Sequence, residues 1–176
     1  MIEILISSKT RIKLLLKFFL NSSNNGYLRG LESEFGESTN AIRLELNKFE
    51  NAGLLVSKKE GNKKYFRANI THPLFSDINN ILLKFTGLDS VVEKVIAKLG
   101  DVKLVYLVGD LANGLSSDVI DLVFVGNMDK KYLFSLIQKT QKSLGKKIKY
   151  LTFKSSEMDE NKLSQMHDNY LLLWSK

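Results

Sequence analysis

Residues 38–68 constrain the fold more than any other part of this chain. "STNAIRLELNKFENAG" places Ile42, Leu46 and Phe49 on one stripe at helical spacing. Thr39, Asn40, Arg43 and Asn47 fall on the opposite face. Ser38 stands where a helix N-cap accepts the first orphan amides, and Gly53 stands at the C-terminal end. The next stretch, "LLVSKKEGNKKYFRAN", has an apolar start at residues 54–56 and an alternating "KYFRA" on either side of "EGN". That is a hairpin signal. Its tip and arms carry Lys58, Lys59, Lys63, Lys64 and Arg67. An amphipathic helix running into a short basic ribbon needs further helices to cover its apolar stripe.

The upstream sequence supplies them. "SSKTRIKLLLKFFLN" has Ile12, Leu15, Leu16, Phe19 and Leu20 at helical spacing behind a candidate N-cap, Ser8. "NSSNNG" reads as a loop, and "YLRGLESEFG" as a short helix ending at Gly36. Three helices followed by a basic hairpin is the winged helix-turn-helix order. In that arrangement the third helix enters the major groove and the hairpin lies along the phosphates. Asn and Arg make paired hydrogen bonds to base edges, whereas lysines supply charge without sequence choice. Double-stranded DNA is therefore the expected partner. The charge distribution agrees: net charge is +7, and residues 1–75 hold 12 Lys/Arg against 7 Asp/Glu. A surplus placed in one segment points to an anionic partner.

The composition excludes other classes. With 26% charged residues and no apolar run near the roughly 20 residues a bilayer requires, no membrane span is expected. The start "MIEILISSKTRIK" has no basic leader before an apolar block. Cysteine is absent, which suits a cytoplasmic location. With only His72 and His167 beside it, a thiolate metal site is excluded, and neither metal nor cofactor is expected.

"KTRIKLLLKFFLN", "YLRGLESEFGESTNAIRLELNKFENAGLL" and "EGNKKYFRANITHPLF" resemble winged-helix repressors of the arsenical-repressor (ArsR-like) type. The shared features are a helix ending Leu-x-x-apolar-x-x-Ala-Gly-Leu and a wing reading Gly-x-x-x-x-Tyr/Phe, over residues 8–75. The metal-sensing members use Cys and His clusters, which this chain lacks. Pro73 closes the module. Residues 76–100 then carry two stripes, Ile78, Ile81, Leu82 and Phe85, then Val91, Val92, Val95, Ile96 and Leu99. They read as a helical connector. They also offer a place for a homodimer interface, since helix-turn-helix proteins commonly read two half-sites.

The remainder, residues 101–176, reads as a small α/β domain. "KLVYLVGD" and "VIDLVFVG" are buried strands, "KKYLFSLIQKTQKSLG" a helix, "KKIKYLTFK" a third strand and "YLLLW" a fourth. "GDLANG" followed by "SSDVIDL" resembles the minimal nucleotidyltransferase motif, Gly-Ser-x-Ala-Arg-Gly then Ser-Asp-x-Asp-Leu. Gly109, Ala112, Gly114 and Asp121 match it. Asp110 replaces the serine, Asn113 the arginine and Val119 the first aspartate. Asp118 precedes Asp121 by three residues, and strand positions three apart do not share a face. The family's third acid has no counterpart in "KIKYLTF". Nucleotidyl transfer holds two metal ions between convergent carboxylates, which one carboxylate cannot do. The resemblance also puts Asp110 where the family's loop receives phosphate, at a cost on the order of 4 kcal/mol per like-charge pair at close range. A degenerate nucleotide site is therefore expected, unless the loop folds Asp110 back beside Asp121. Two other readings stay open: a plain turn between strands, or a pocket for an unidentified small-molecule effector that biases DNA binding.

The expected fold class is α+β: a winged helix-turn-helix (1–75), a helical connector (76–100) and a nucleotidyltransferase-like α/β domain (101–176). The expected function is transcriptional regulation, with no enzyme activity. Two rivals stand beside it: an active antitoxin-like nucleotidyltransferase whose winged helix autoregulates, and a protein-interaction adaptor.

Overall fold

The computed structural model describes residues 6–176. The start of the expected N-terminal domain, and the stretch in which no leader is read, lie partly outside the described residues. Two compact units follow one another, the first ending at Phe85 and the second running from Thr86 to Lys176.

In the first unit α1 (Lys9–Leu15) is capped by the Ser8 hydroxyl, which accepts from the Arg11 N–H, and continues as a π-turn over Leu16–Leu20. Next come β1 (Asn25–Tyr27), α2 (Leu28–Phe35) and α3 (Thr39–Asn51), then β2 (Leu55–Glu60) and β3 (Lys63–Ala68). Ser38 caps α3 through the Ala41 N–H. The three strands form an antiparallel sheet in the order β1-β3-β2. The "NSSNNG" loop is shorter than its composition indicates. Asn25 and Gly26 pair with Arg67 and Phe66. A strand this short has no alternation of its own to read, and its order comes from β3. Gly26 is needed there, because a Cβ would lie 2.9 Å from the Leu31 side chain.

Phe18, Phe19, Leu31, Ile42 and Leu46 are fully buried between the helices. Each contributes roughly 1.5–3 kcal/mol by leaving water. The Phe19 ring meets Phe49 edge-on at 6.4 Å and lies 5.8 Å from Phe75. The mutual position of α1 and α3 is fixed by a fork in which Arg11 donates to both oxygens of the buried Glu45, at 2.7 and 3.2 Å.

Residues 76–100 form α4 (Phe75–Thr86), α5 (Leu88–Lys94) and a 3-10 turn (Ile96–Lys98). Of the first expected stripe only Leu82 is fully buried: Ile78 and Phe85 are half-buried, and Ile81 is 51% exposed. The end of α1 leaves carbonyls without helical donors. The Asn79 amide donates to the oxygens of Phe19 and Leu20. With the Asn79–Leu82 side turned inward, Ile81 faces out.

The second unit contains β4 (Val102–Val108), α6 (Gly109–Ala112), β5 (Val119–Gly126), α7 (Lys130–Leu144), β6 (Lys147–Phe153), α8 (Glu160–Met166) and β7 (Leu171–Ser175). Its mixed sheet has the order β6-β5-β4-β7; β5 and β6 are parallel, and the other pairs antiparallel. α7 starts at Asp129, whose carboxylate accepts from the N–H groups of Lys131 and Tyr132. Two helices have no sequence signal. α6 is a single turn, and α8 has one buried apolar residue, Leu163, in place of a stripe. Leu163 nonetheless closes a core of Tyr106, Val108, Val123 and Val125 on one face of the sheet. Among the described residues no helix is long and apolar enough to cross a membrane.

Candidate nucleic-acid interface and the Asp121 cavity

On the first unit, α3 buries Ile42, Leu46 and Phe49 and leaves Asn40, Arg43 and Asn47 exposed, with Thr39 half-buried at its first turn. Arg43 and Asn47 line a groove of about 540 Å³ together with Arg29 of α2 and Asn62, Lys63 and Lys64 of the wing. The tip is tight. Gly61, at φ +57°, takes the left-handed backbone that a two-residue hairpin turn requires.

The wing's cations fall on two sides. The register pairs Lys59 with Lys64 and Ser57 with Phe66, so these share the side that carries the buried Phe66. Val56 pairs with Arg67 and Lys58 with Tyr65, which puts Lys58 and Arg67 on the other side. Lys58 is further occupied by Glu60, 3.0 Å away. At the start of β3, Lys63 pairs with Glu60 and so takes the Lys58 side, where its ammonium lies 4.4 Å above the Tyr27 ring. Lys64 pairs with Glu50 at 2.7 Å, and Glu50 also accepts from the Ser57 hydroxyl. The Lys64 hydrogen bond, then that of Ser57, holds the Glu50 carboxyl below its ordinary value. One wing cation is thus tethered to the end of α3. Sequence reading missed Arg29, which carries no periodic signal in so short a helix. It also missed Leu44, a large apolar residue 52% exposed on the polar face of α3.

On the second unit the strand register sets Asp121 beside Val108 on β4 and Lys149 on β6. Gly109, Asp121, Lys149, Tyr150 and His167 line a cavity of about 350 Å³. Gly109 has φ +71°, and a Cβ there would stand 2.8 Å from the Asp121 Oδ2. Only a residue without a side chain lets the turn close on this carboxylate.

The other motif residues lie elsewhere. Asp110 is exposed on α6 and does not line the cavity. Asn113 donates to the Gly109 carbonyl at 3.0 Å and accepts from the Asn169 amide at 2.6 Å, bracing the loop. Gly114 is buried with φ +77°. Asp118 is exposed ahead of β5, where its carbonyl accepts from the Lys147 N–H. Val119, two residues before Asp121, shares its side of the strand.

The motif did not reveal Lys149, Tyr150 and His167, because they come from β6 and from the end of α8. The His167 Nε2 is buried without a hydrogen-bond partner. Among the described residues no group of three or more His, Cys, Asp or Glu is arranged so that it could hold a metal ion. The cavity therefore sets one carboxylate near an ammonium and an imidazole.

The fold is α+β. Its first unit has the helix, strand, two-helix and hairpin order of a winged helix-turn-helix, and its second is a small mixed-sheet α/β unit. No protein-family model and no curated protein matches the chain. Solved structures match it in part. Reduced HlyU from Vibrio cholerae is 16% identical over 46% of this chain and 79% of its own, with a TM-score of 0.38. AF1382 from Archaeoglobus fulgidus is 18% identical over 53% and 98%, with a TM-score of 0.38. A chain from the complex of the tri-AMPylated Shewanella oneidensis HEPN toxin with its MNT antitoxin is 17% identical over 52% and 73%, again at 0.38. Likenesses this partial carry no functional argument, and the reading below rests on the geometry.

Proposed function

We propose that this chain is a cytoplasmic, DNA-binding transcriptional regulator with an ArsR-like winged helix. Its α/β unit has a nucleotidyltransferase-like fold that performs no transfer and serves assembly or sensing. The observation that carries the reading is the shared groove. Arg43 and Asn47 on the exposed face of α3 open onto the same space as Arg29, Lys63 and Lys64. Base-reading side chains thus adjoin sequence-blind cations, the division of labour that specific duplex recognition uses. A homodimer would present two such helices to a two-part site. The half-exposed Ile81 of α4 offers apolar surface for it.

The silence of the second unit is supported by the company Asp121 keeps. Lys149 occupies the neighbouring position on β6, and Val119 stands where a second carboxylate would share its side of β5. A two-metal clamp needs convergent carboxylates. The cavity that Asp121 shares with Lys149, Tyr150 and His167 favours retention of the pocket for a small effector.

Fluorescence anisotropy of the full chain with duplexes selected from a random library tests the regulator reading. The expected result is sequence-selective binding that weakens steeply with salt. Undetectable duplex binding at low salt would remove it and favour the adaptor rival. Magnesium-dependent transfer lost in Asp121→Asn would favour the enzyme rival.

A further inference from the structure

An exposed leucine standing alone is ordinary on a protein surface. Leu44 is not placed ordinarily. It is 52% exposed on α3, with Asn40 four residues before it, Asn47 three after and Lys48 four after, all exposed. Residues at those spacings share a helix face. Arg43, beside it, opens onto the groove with the wing. The strip that would meet a duplex therefore carries asparagine, leucine and asparagine in succession, with cations around them.

In the major groove an A·T pair offers two kinds of handle. Adenine presents N7 and the N6 amino group, which one asparagine amide takes in a paired hydrogen bond; thymine presents a methyl group, which only an apolar side chain reads. We infer that Leu44 is a specificity-determining residue that seats a thymine methyl, flanked by adenines read by Asn40 and Asn47. This rests on the reading of α3 as the DNA-reading helix and names the sequence chemistry that helix selects. Contact between the leucine and the methyl removes both from water, whereas uracil or cytosine leaves the leucine facing a polar edge.

The full wild-type chain is first used to select duplexes from a random library. In the best duplex each thymine is then replaced singly by deoxyuridine, which deletes only the methyl group. One position per half-site is expected to lose about fourfold in affinity, the worth of one buried methyl. Leu44→Ala, at an exposed position that leaves the core intact, is expected to lose a similar factor on the thymine duplex and to bind the deoxyuridine duplex equally well. Its salt slope should match the wild type, because no phosphate contact is removed. Discrimination between thymine and deoxyuridine that persists in Leu44→Ala would overturn the inference, as would a selected site insensitive to every such replacement. In those two cases the regulator reading stands. A wild-type chain that binds no duplex would overturn both.

Discussion

Arg43 and Glu45 stand two residues apart on α3, on opposite sides of the helix, and do opposite work. Arg43 is exposed and free to fork onto a guanine edge, so Arg43→Ala is expected to cost about 1–3 kcal/mol on the preferred duplex and to relax choice at one base pair. Equal loss on all duplexes would make it a phosphate contact. Glu45 is buried and tied to Arg11 of α1 and Lys48 of its own helix. Its carboxyl is held below the ordinary value of 4.5, chiefly by the Arg11 hydrogen bond and against the opposing effect of burial. A depressed carboxylate stabilises the fold above its unfolded pKa and ceases to do so as pH falls through its folded pKa. The thermal midpoint of the first unit is therefore expected to drop as pH falls below about 4.5. Glu45→Gln should remove that part of the pH dependence. A variant that follows the wild-type curve would assign the acid sensitivity to other carboxylates.

The wing works as an element because pleating sorts its cations. Lys59 and Lys64 share one side, and Lys58 and Arg67 take the other. The register puts Lys63, paired with Glu60, on that second side as well, although at the end of the ribbon it still lines the groove. Replacing Lys59 and Lys63 by alanine is expected to lower the salt slope of DNA binding by about 2 and to weaken all sequences alike. Replacing Lys58 and Arg67 should leave the slope near the wild-type value. Equal slopes from the two double variants would show that Lys58 and Arg67 meet phosphate as well. Glu50 adds a control on this element, since it holds Lys64 at 2.7 Å. Glu50→Gln releases that lysine and removes a negative charge, so binding to every duplex is expected to tighten.

At the scale of the whole molecule, two units with separate cores divide the chemistry. The first gathers cations along an exposed helix, and the second gathers one carboxylate, one ammonium and one imidazole around a small cavity. A labelled-nucleotide assay with magnesium or manganese is expected to give no transfer to protein or nucleic acid. Asp121→Asn is expected to leave both that blank and the DNA affinity unchanged. Turnover that vanishes in Asp121→Asn would restore the second unit as an enzyme and make the winged helix its regulator.

Local periodicity and local chemistry determined much of this molecule in advance. The stripe of α3, the Ser8 and Ser38 caps, the turn at Gly61 and the four apolar strands of the second unit are each written within a few neighbouring residues. So is the displacement of Asp118 from the side of Asp121, which follows from the two-residue period of a strand. Tertiary structure decided the rest, because side chains distant along the chain become neighbours only through packing. The pairing of β5 with β6 sets Lys149 beside Asp121, and the end of α8 brings His167 to the same cavity. Asn79 turns α4 so that Ile81 faces outward, and β1 exists because β3 gives it a partner. Periodicity reports which residues prefer burial; what they are buried against is settled by the free energy of the whole assembly of elements.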